Sequence, residues 1–597
     1  MDRSVKQPGT GLDEWKELIA VGVAGTVGLS TYASLQLGEI LYGAPDQAIP
    51  VNPISLGLNL ATGDVAWTGA ATGGAVTLLA GAGALAAGCR KCAGMAGRLR
   101  SRKEPIDERA KFMARGKELS GLSRKAVAAT AARLNVQLGE NDEPGVLIGR
   151  SVVGSKKLYA SYEDLHLDIW GPRSGKTTSR VIPAVMEAVG PAVVTSNKRD
   201  VVDATEGPRS TYNRRTHVFD PQGVAGKEPT WFWDPMTWVL GDEGGAGAQE
   251  RAAELAGHFA AGGEASAKDA FFDPEGEDLL AGLFLAAALA KKPITSAFEW
   301  VTRSHDDEPV HILTEHRFPM VAAALSDQYT APEKQRSGIF STAKKMAACL
   351  KYEAIRPWVT PPQKGERPRT SFDVAEFVTS RDTLYPLSKE GVGSAGPLIT
   401  ALCAAVADAA EKEGVRHGGR LPVPLTMILD EAANIVKWAN LPKQYSHFGS
   451  RGMVVMTILQ SWAQGERCWG HDGMRALWSA ANVKVLGAGL DDAGFLRDRA
   501  EIIGDHYERT VSSSRSNGGR SYSISRTTEK TLTPSDLAAL PKGRIVVSVS
   551  GHRPTLAVAV PWMDRPYADQ IDKAIRGRGT GSGTRLHLVP PIDKEGE

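Results

Sequence analysis

Three short segments carry residues suited to phosphate chemistry. The first, Gly171-Pro172-Arg173-Ser174-Gly175-Lys176-Thr177-Thr178, follows the apolar run Leu165–Trp170 and leads into a helix-forming stretch with Arg180 and Val181. Strand, Gly-bearing turn and helix N-terminus form the setting in which backbone N–H groups and the helix dipole hold nucleotide phosphates. Lys176 would bring a point charge to the terminal phosphates of ATP, and Thr177 a hydroxyl to Mg2+. The motif is offset: counting back from Gly175, Trp170 stands where the first glycine belongs, and Gly171 comes one residue late. The second segment, Leu425–Leu429, is apolar and ends in Asp430-Glu431, 254 residues beyond Lys176 (430 − 176). A parallel strand would deliver both carboxylates beside the phosphate loop. Asp430 would then hold Mg2+, directly or through water, and Glu431 would polarise the attacking water. The alternative is that the two acids only begin the next helix, where its dipole favours them. The third segment, Arg451–Ser461, places Gln460 at the end of another apolar strand. There it would touch both the γ-phosphate and the attacking water, or else cap the following helix.

These segments need a sheet to bring them together. Leu165–Trp170, Ala192–Ser196, His217–Asp220, Leu425–Leu429, Met453–Leu459 and Val483–Ala488 read as buried strands, near-continuously apolar as in a parallel sheet covered on both faces. Helical stretches such as Arg180–Val189 lie between several of them, giving βαβ units and an α/β class. Residues 245–357, with the Ala/Leu-rich Glu277–Lys291, read as an all-α insertion between nucleotide-binding parts at 146–244 and 358–565. Ser512–Ser525 reads as a polar loop or hairpin tip. There Arg515, Arg520 and Arg526, with Tyr522, could meet a phosphate backbone and stack on a base, or could simply be solvated. Residues 566–597 read as a flexible tail.

The N-terminal part differs in composition. Leu18–Gly38 and Val65–Cys89 are 21 and 25 residues without a charge, each long enough to span a bilayer, although rich in Gly, Ala and Thr. The loop Glu39–Asp64 has no Lys or Arg, while Arg90–Lys125 carries twelve Lys/Arg against four Asp/Glu. Positive-inside asymmetry then predicts a membrane anchor at 1–95, with transmembrane helices at about 18–40 and 65–89. It also predicts a basic juxtamembrane linker at 96–145 that meets anionic lipid, and a multi-pass cell-membrane protein with its bulk in the cytoplasm. Whole-chain charge is only +2, which excludes a polybasic nucleic-acid coat, and 42% hydrophobic residues exclude a wholly disordered chain. Cys349, Cys403 and Cys468 read as reduced core residues; Cys89 and Cys92 form a lone CxxC, a weak zinc or redox signal.

IWGPRSGKTTSRVIP, MILDEAANI and SRGMVVMTILQS resemble the nucleotide motifs of the type IV secretion coupling proteins, the TraG/TraD-like ATPases of conjugation. Leu540–Pro554, LPKGRIVVSVSGHRP, is similar to that family's closing strand region, and the resemblance covers about residues 15–565. It implies a RecA-like P-loop ATPase domain with an inserted all-α domain and two N-terminal transmembrane helices, assembled as a homo-hexamer. It implies as partners a relaxase-bound single DNA strand or another secreted substrate, and the components of a type IV secretion channel. In such a ring Arg451, at the start of the strand that Gln460 ends, would lie across its own sheet and could reach the neighbour's phosphate loop. Alternatively it pairs with a nearby carboxylate such as Glu466 or Glu431. Two rival functions stay open: an FtsK-type double-stranded DNA translocase, and a membrane receptor for secreted proteins in which nucleotide only sets conformation.

Overall fold

The computed structural model describes residues 29–43, 47–80 and 105–578, apart from 141, 212–213, 242–244, 263–268, 392 and 517–518. It divides into two units, Met1–Arg102 and Lys103–Glu597. In the first, helices cover 29–42, Pro53–Thr62 and 69–80 around a small core of Leu35, Leu56, Val65 and Ala71. Gly38 and Gly74 allow the outer two helices to touch: a Cβ on Gly74 would fall 2.2 Å from the Ser34 carbonyl oxygen. No helix among the described residues is long and apolar enough to cross a membrane. The expected multi-pass membrane location is therefore not supported, and the expected helices at about 18–40 and 65–89 are described only in part. Within the described part of the uncharged runs, Gly38 and Gly74 serve helix-to-helix approach. Residues 18–28 and 81–89, with Cys89, lie outside the described residues, as does Cys92.

The second unit is built on strands β1 (Val146–Ser151), β2 (Lys157–Ala160), β3 (His166–Ile169), β4 (Ala192–Thr195), β5 (Thr216–Phe219), β6 (Trp231–Phe232), β7 (Thr370–Ser371) and β8 (Thr383–Pro386). It continues with β9 (Leu425–Leu429), β10 (Met453–Leu459), β11 (Val483–Leu486), β12 (Asp505–Ser516), β13 (Gly519–Lys530), β14 (Arg544–Val549) and β15 (Thr555–Val558). Eleven of them form one sheet in the order β2-β1-β15-β14-β11-β3-β10-β9-β4-β8-β5. From β11 to β5 every neighbouring pair is parallel; β14, β15, β1 and β2 extend the sheet antiparallel. The sequence explains the difference. LTMIL in β9 and MVVMTIL in β10 are buried at every position, the apolar continuity that coverage on both faces demands.

β6 and β7 pair in parallel, and the described chain between them is helical, including Ala248–Gly262, Phe272–Leu289, Pro319–Thr330 and Glu333–Met346. Gly276, Leu279, Leu280 and Leu283–Ala288 of the second of these helices are buried, which accounts for its Ala/Leu richness. β12 and β13 make a separate two-stranded ribbon.

Two expectations for the ends of this unit are corrected. The described part of the basic stretch, from residue 105, is folded onto the sheet. Leu119 and Leu122 are buried with Ile148 and Leu158, Thr555 Oγ1 donates to the Ala114 carbonyl at 2.8 Å, and Asp107 receives Arg544 at 2.7 and 2.8 Å. Its apolar residues find strands to cover, while charges such as Arg124 pair with folded neighbours (Glu143, 3.0 Å). The supposed flexible tail begins as a helix, Ala568–Arg578, with Ile571 fully buried against Ile182, Ala204 and Trp562.

Candidate active site

The phosphate-loop segment leaves the C-terminal end of β3, in the middle of the sheet. Trp170 N–H donates to the Leu459 carbonyl and Gly171 N–H to the Ala488 carbonyl, both at 3.0 Å, so the turn is fastened to the strands on either side. The offset glycine has a steric reason. A Cβ on Gly171 would lie 2.0 Å from the Gly489 carbonyl oxygen, so close backbone approach occurs at 171. Trp170 is fully buried and packs on Gly487, where a Cβ would fall 2.3 Å from the indole ring. Arg173 and Gly175 turn the chain with φ of +56° and +97°. Thr178 Oγ1 donates to the Gly175 carbonyl at 2.9 Å, and Ser174 Oγ to that of Gly171. The Gly175 amide donates to no acceptor among the described residues, leaving it free for an anion.

Asp430 and Glu431 leave β9, two strands away in the sheet, and arrive at this turn. Lys176 Nζ bonds Asp430 Oδ1 at 2.9 Å and also Glu431 Oε1. Gln460, at the end of the intervening β10, donates its amide to both Glu431 oxygens at 2.7 Å. Thr195, at the end of β4, donates to the Asp430 carbonyl at 2.9 Å. Four parallel strand ends thus converge on one cluster, as sheets of this kind do at their carboxyl edge. Glu431 sits at φ +56°, ψ 38°, a left-handed conformation that costs a non-glycine residue energy and is held here by its three side-chain partners, Lys176, Gln460 and Asn434. Burial pushes the Asp430 carboxyl up to about 6 against the opposing pull of Lys176. For Lys176, burial acts to lower its pKa, but Asp430 and Glu431 outweigh it and hold the ammonium above its usual range.

Lys176, Asp430, Glu431 and Gln460 are therefore brought together, with half-buried Thr177 next to Lys176 on the first helical turn. The residues present fit a nucleotide and its cation: a free turn amide, one lysine, one hydroxyl and two acids. Arg451 is not part of this cluster. It lies before β10 at the opposite end from Gln460, ~23 Å away for a seven-residue strand. It pairs with neither expected acid, because Glu466 holds His471 at 2.8 Å and Glu431 holds Lys176 and Gln460.

Sequence reasoning missed a layer beneath the loop. Arg180, 2% exposed, donates to Asp168 Oδ2 at 2.6 Å and the Leu147 carbonyl at 3.2 Å, and contacts His166 Nδ1 at 3.0 Å. Burial, then the Arg180 charge, keeps His166 well below its ordinary range. The signal was an Asp inside an apolar strand eight residues before Lys176, since a buried carboxylate needs a partner. It also missed Asn434, which donates to Glu431 Oε2 at 3.3 Å and to Glu390 Oε1 at 3.0 Å.

The family model described as the TraM recognition site of TraD and TraG matches residues 424–542, a segment that begins at β9 and includes Asp430, Glu431 and Gln460. No curated protein matches the chain in sequence. Among solved structures, the bacterial conjugative coupling protein TrwB lacking its first 70 residues, in complex with sulphate, is similar at TM-score 0.51 and 16% identity over 75% of this chain and 94% of that one. TrwB with the non-hydrolysable GTP analogue GDPNP matches at TM-score 0.50 and 15% identity, over 72% and 92%. TrwB with ADP and Mg2+ matches at TM-score 0.49 and 14% identity, over 72% and 92%. At these identities the structural likeness is one of fold: a mixed α/β sheet of the RecA-like type with a helical domain. The chain thus carries, over residues 424–542, a segment matching the TraD and TraG family model, on a fold similar to that of a conjugative coupling protein.

Proposed function

We propose that the chain is a P-loop ATPase that couples a DNA or nucleoprotein substrate to a type IV secretion channel and drives transfer by ATP hydrolysis. The observation that carries this reading is the meeting of Lys176, Asp430, Glu431 and Gln460 at the carboxyl ends of adjacent parallel strands, beside the Gly171–Thr178 turn. In this reading residues Gly171–Thr178 bind the phosphates, and Lys176 exchanges its carboxylate partners for phosphate oxygens. Thr177 and Asp430 would hold Mg2+, which supplies charge neutralisation at the phosphates. Glu431 takes the proton of the attacking water, and Gln460 fixes the Glu431 carboxylate for that step. The GDPNP-bound coupling protein of the same fold supports a nucleotide substrate.

Residues 146–244 and 358–565 then form the nucleotide-binding domain, with 245–357 inserted. The working assembly is a homo-hexamer in which Arg451 serves the neighbour's site. The substrate is single-stranded DNA carrying a relaxase, or another secreted cargo, handed to channel components. The matched family's description supports a protein partner of the TraM kind at residues 424–542. ATP turnover measured with and without single-stranded DNA tests the proposal. DNA-stimulated turnover, abolished in Lys176→Ala, is expected; turnover indifferent to DNA at every salt concentration would favour a nucleotide-switched receptor instead.

A further inference from the structure

The β12–β13 ribbon has two chemically different faces. Residues directly opposite in an antiparallel pair share a face, and alternate rungs share it too. The register sets Arg509 opposite Arg526 and Arg515 opposite Arg520, six positions apart on each strand. All four arginines therefore stand on one face, their rungs ~20 Å apart along a ribbon ~40 Å long. The same face takes Tyr507, Tyr522 and Lys530, and its single acid is Asp505. The other face takes Glu508, Glu529, His506 and a run of serines that includes Ser512 and Ser523. At the described base of the ribbon, Tyr507 is 74% exposed and Arg526 is exposed, while His506 is buried against Phe112.

This arrangement costs the ribbon stability. A two-stranded sheet is marginal by itself, and like charges directly opposite each other weaken it further. Among the described residues the ribbon pairs with no other strand, yet it carries two Arg–Arg rungs on one face while its acids lie mostly on the other. Charge from outside, a polyanion along that face, would offset the repulsion. Tyrosines between basic rungs are what a flexible single strand uses, since unpaired bases can stack on them.

We infer that the Tyr507–Arg509–Arg515 face of the ribbon is a binding surface for the sugar-phosphate backbone and bases of single-stranded nucleic acid. The inference rests on the nucleic-acid part of the proposed function and gives that substrate a surface. The test is fluorescence anisotropy of a labelled 30-nucleotide oligo-dT titrated with the full chain across a range of NaCl concentrations. Replacing Arg509, Arg515, Arg520 and Arg526 together by Ala should flatten the log–log salt slope by about 3, at ~0.7 per single-strand phosphate contact. The same four changed to Lys should restore the slope, and Tyr507→Ala should weaken binding about tenfold without changing it. A quadruple Ala variant with wild-type unfolding temperature and wild-type slope would overturn the assignment. Preferential binding of poly-glutamate over oligo-dT by the wild type would overturn it in favour of an acidic protein partner. ATP turnover separates the two levels of failure. If turnover responds to DNA but the slope is unchanged, only the surface is wrong; if the wild type binds no oligo-dT, the DNA part of the proposed function falls with it.

Discussion

Restoring the missing glycine should damage the phosphate loop's support rather than improve it. Trp170 is fully buried among Ile148, Val483, Val485 and Ile545, and its ring fills the space over Gly487. Its indole nitrogen has no hydrogen-bond partner, so the side chain contributes packing alone. Removing a buried Trp side chain costs about 3–5 kcal/mol, and a glycine in its place adds ~0.5–1 kcal/mol of backbone entropy. Trp170→Gly should therefore lose roughly 4–6 kcal/mol in a urea titration followed by circular dichroism, and should not raise ATP turnover. A double-mutant cycle sharpens the test. Gly487→Ala alone should destabilise, because its new Cβ meets the ring at 2.3 Å, whereas in a Trp170→Ala background it should be neutral or stabilising. A Trp170→Gly chain of wild-type stability, or one that hydrolyses ATP faster, would refute the steric account of the displaced motif.

Three further outcomes are expected. Gln460→Ala removes both amide bonds to Glu431 and should lower kcat on the order of 10²-fold with little change in KM, read from steady-state ATP hydrolysis. Asp168→Ala leaves Arg180 buried without its carboxylate and should cost about 3–5 kcal/mol, measured by chemical denaturation; a loss below ~1 kcal/mol would contradict the buried pair. Mixing inactive Lys176→Ala and Arg451→Ala chains should partly restore turnover, because some interfaces then join an intact loop to an intact arginine; no recovery in verified mixed assemblies leaves Arg451 a structural residue.

What the sequence disclosed depended on how local its signal was. β9 and β10 were readable because five and seven consecutive buried residues cannot be solvent-facing strands, and the acids and amide at their ends followed from the strand direction. β8 was missed since TLYP carries a proline, and β1 and β2 since their apolar residues are interrupted by Gly149, Arg150 and Lys157. Residues 105–133 read as part of a basic juxtamembrane linker because their buried residues, such as Leu119 and Leu122, are few, and the strands they cover include β14 and β15, far along the chain. The N-terminal runs misled through length. Charge-free Gly/Ala sequence satisfies a span criterion, and it equally allows close helix contact, as at Gly38 and Gly74, with no helix among the described residues long and apolar enough to cross a membrane. The Arg180–Asp168 layer and Asn434 required three-dimensional proximity that spacing alone does not encode.

The central claim is that the Lys176–Asp430–Glu431–Gln460 cluster hydrolyses ATP with Glu431 as the base. Single-turnover hydrolysis of γ-labelled ATP by wild type and Glu431→Gln, with nucleotide binding followed in parallel, tests it most directly. Glu431→Gln keeps the shape and a hydrogen-bonding group but removes the proton acceptor. The account predicts ATP bound by both chains, with phosphate release in the variant slowed by about 10²–10⁴-fold, the usual contribution of a general base. Release at the wild-type rate from Glu431→Gln would contradict it.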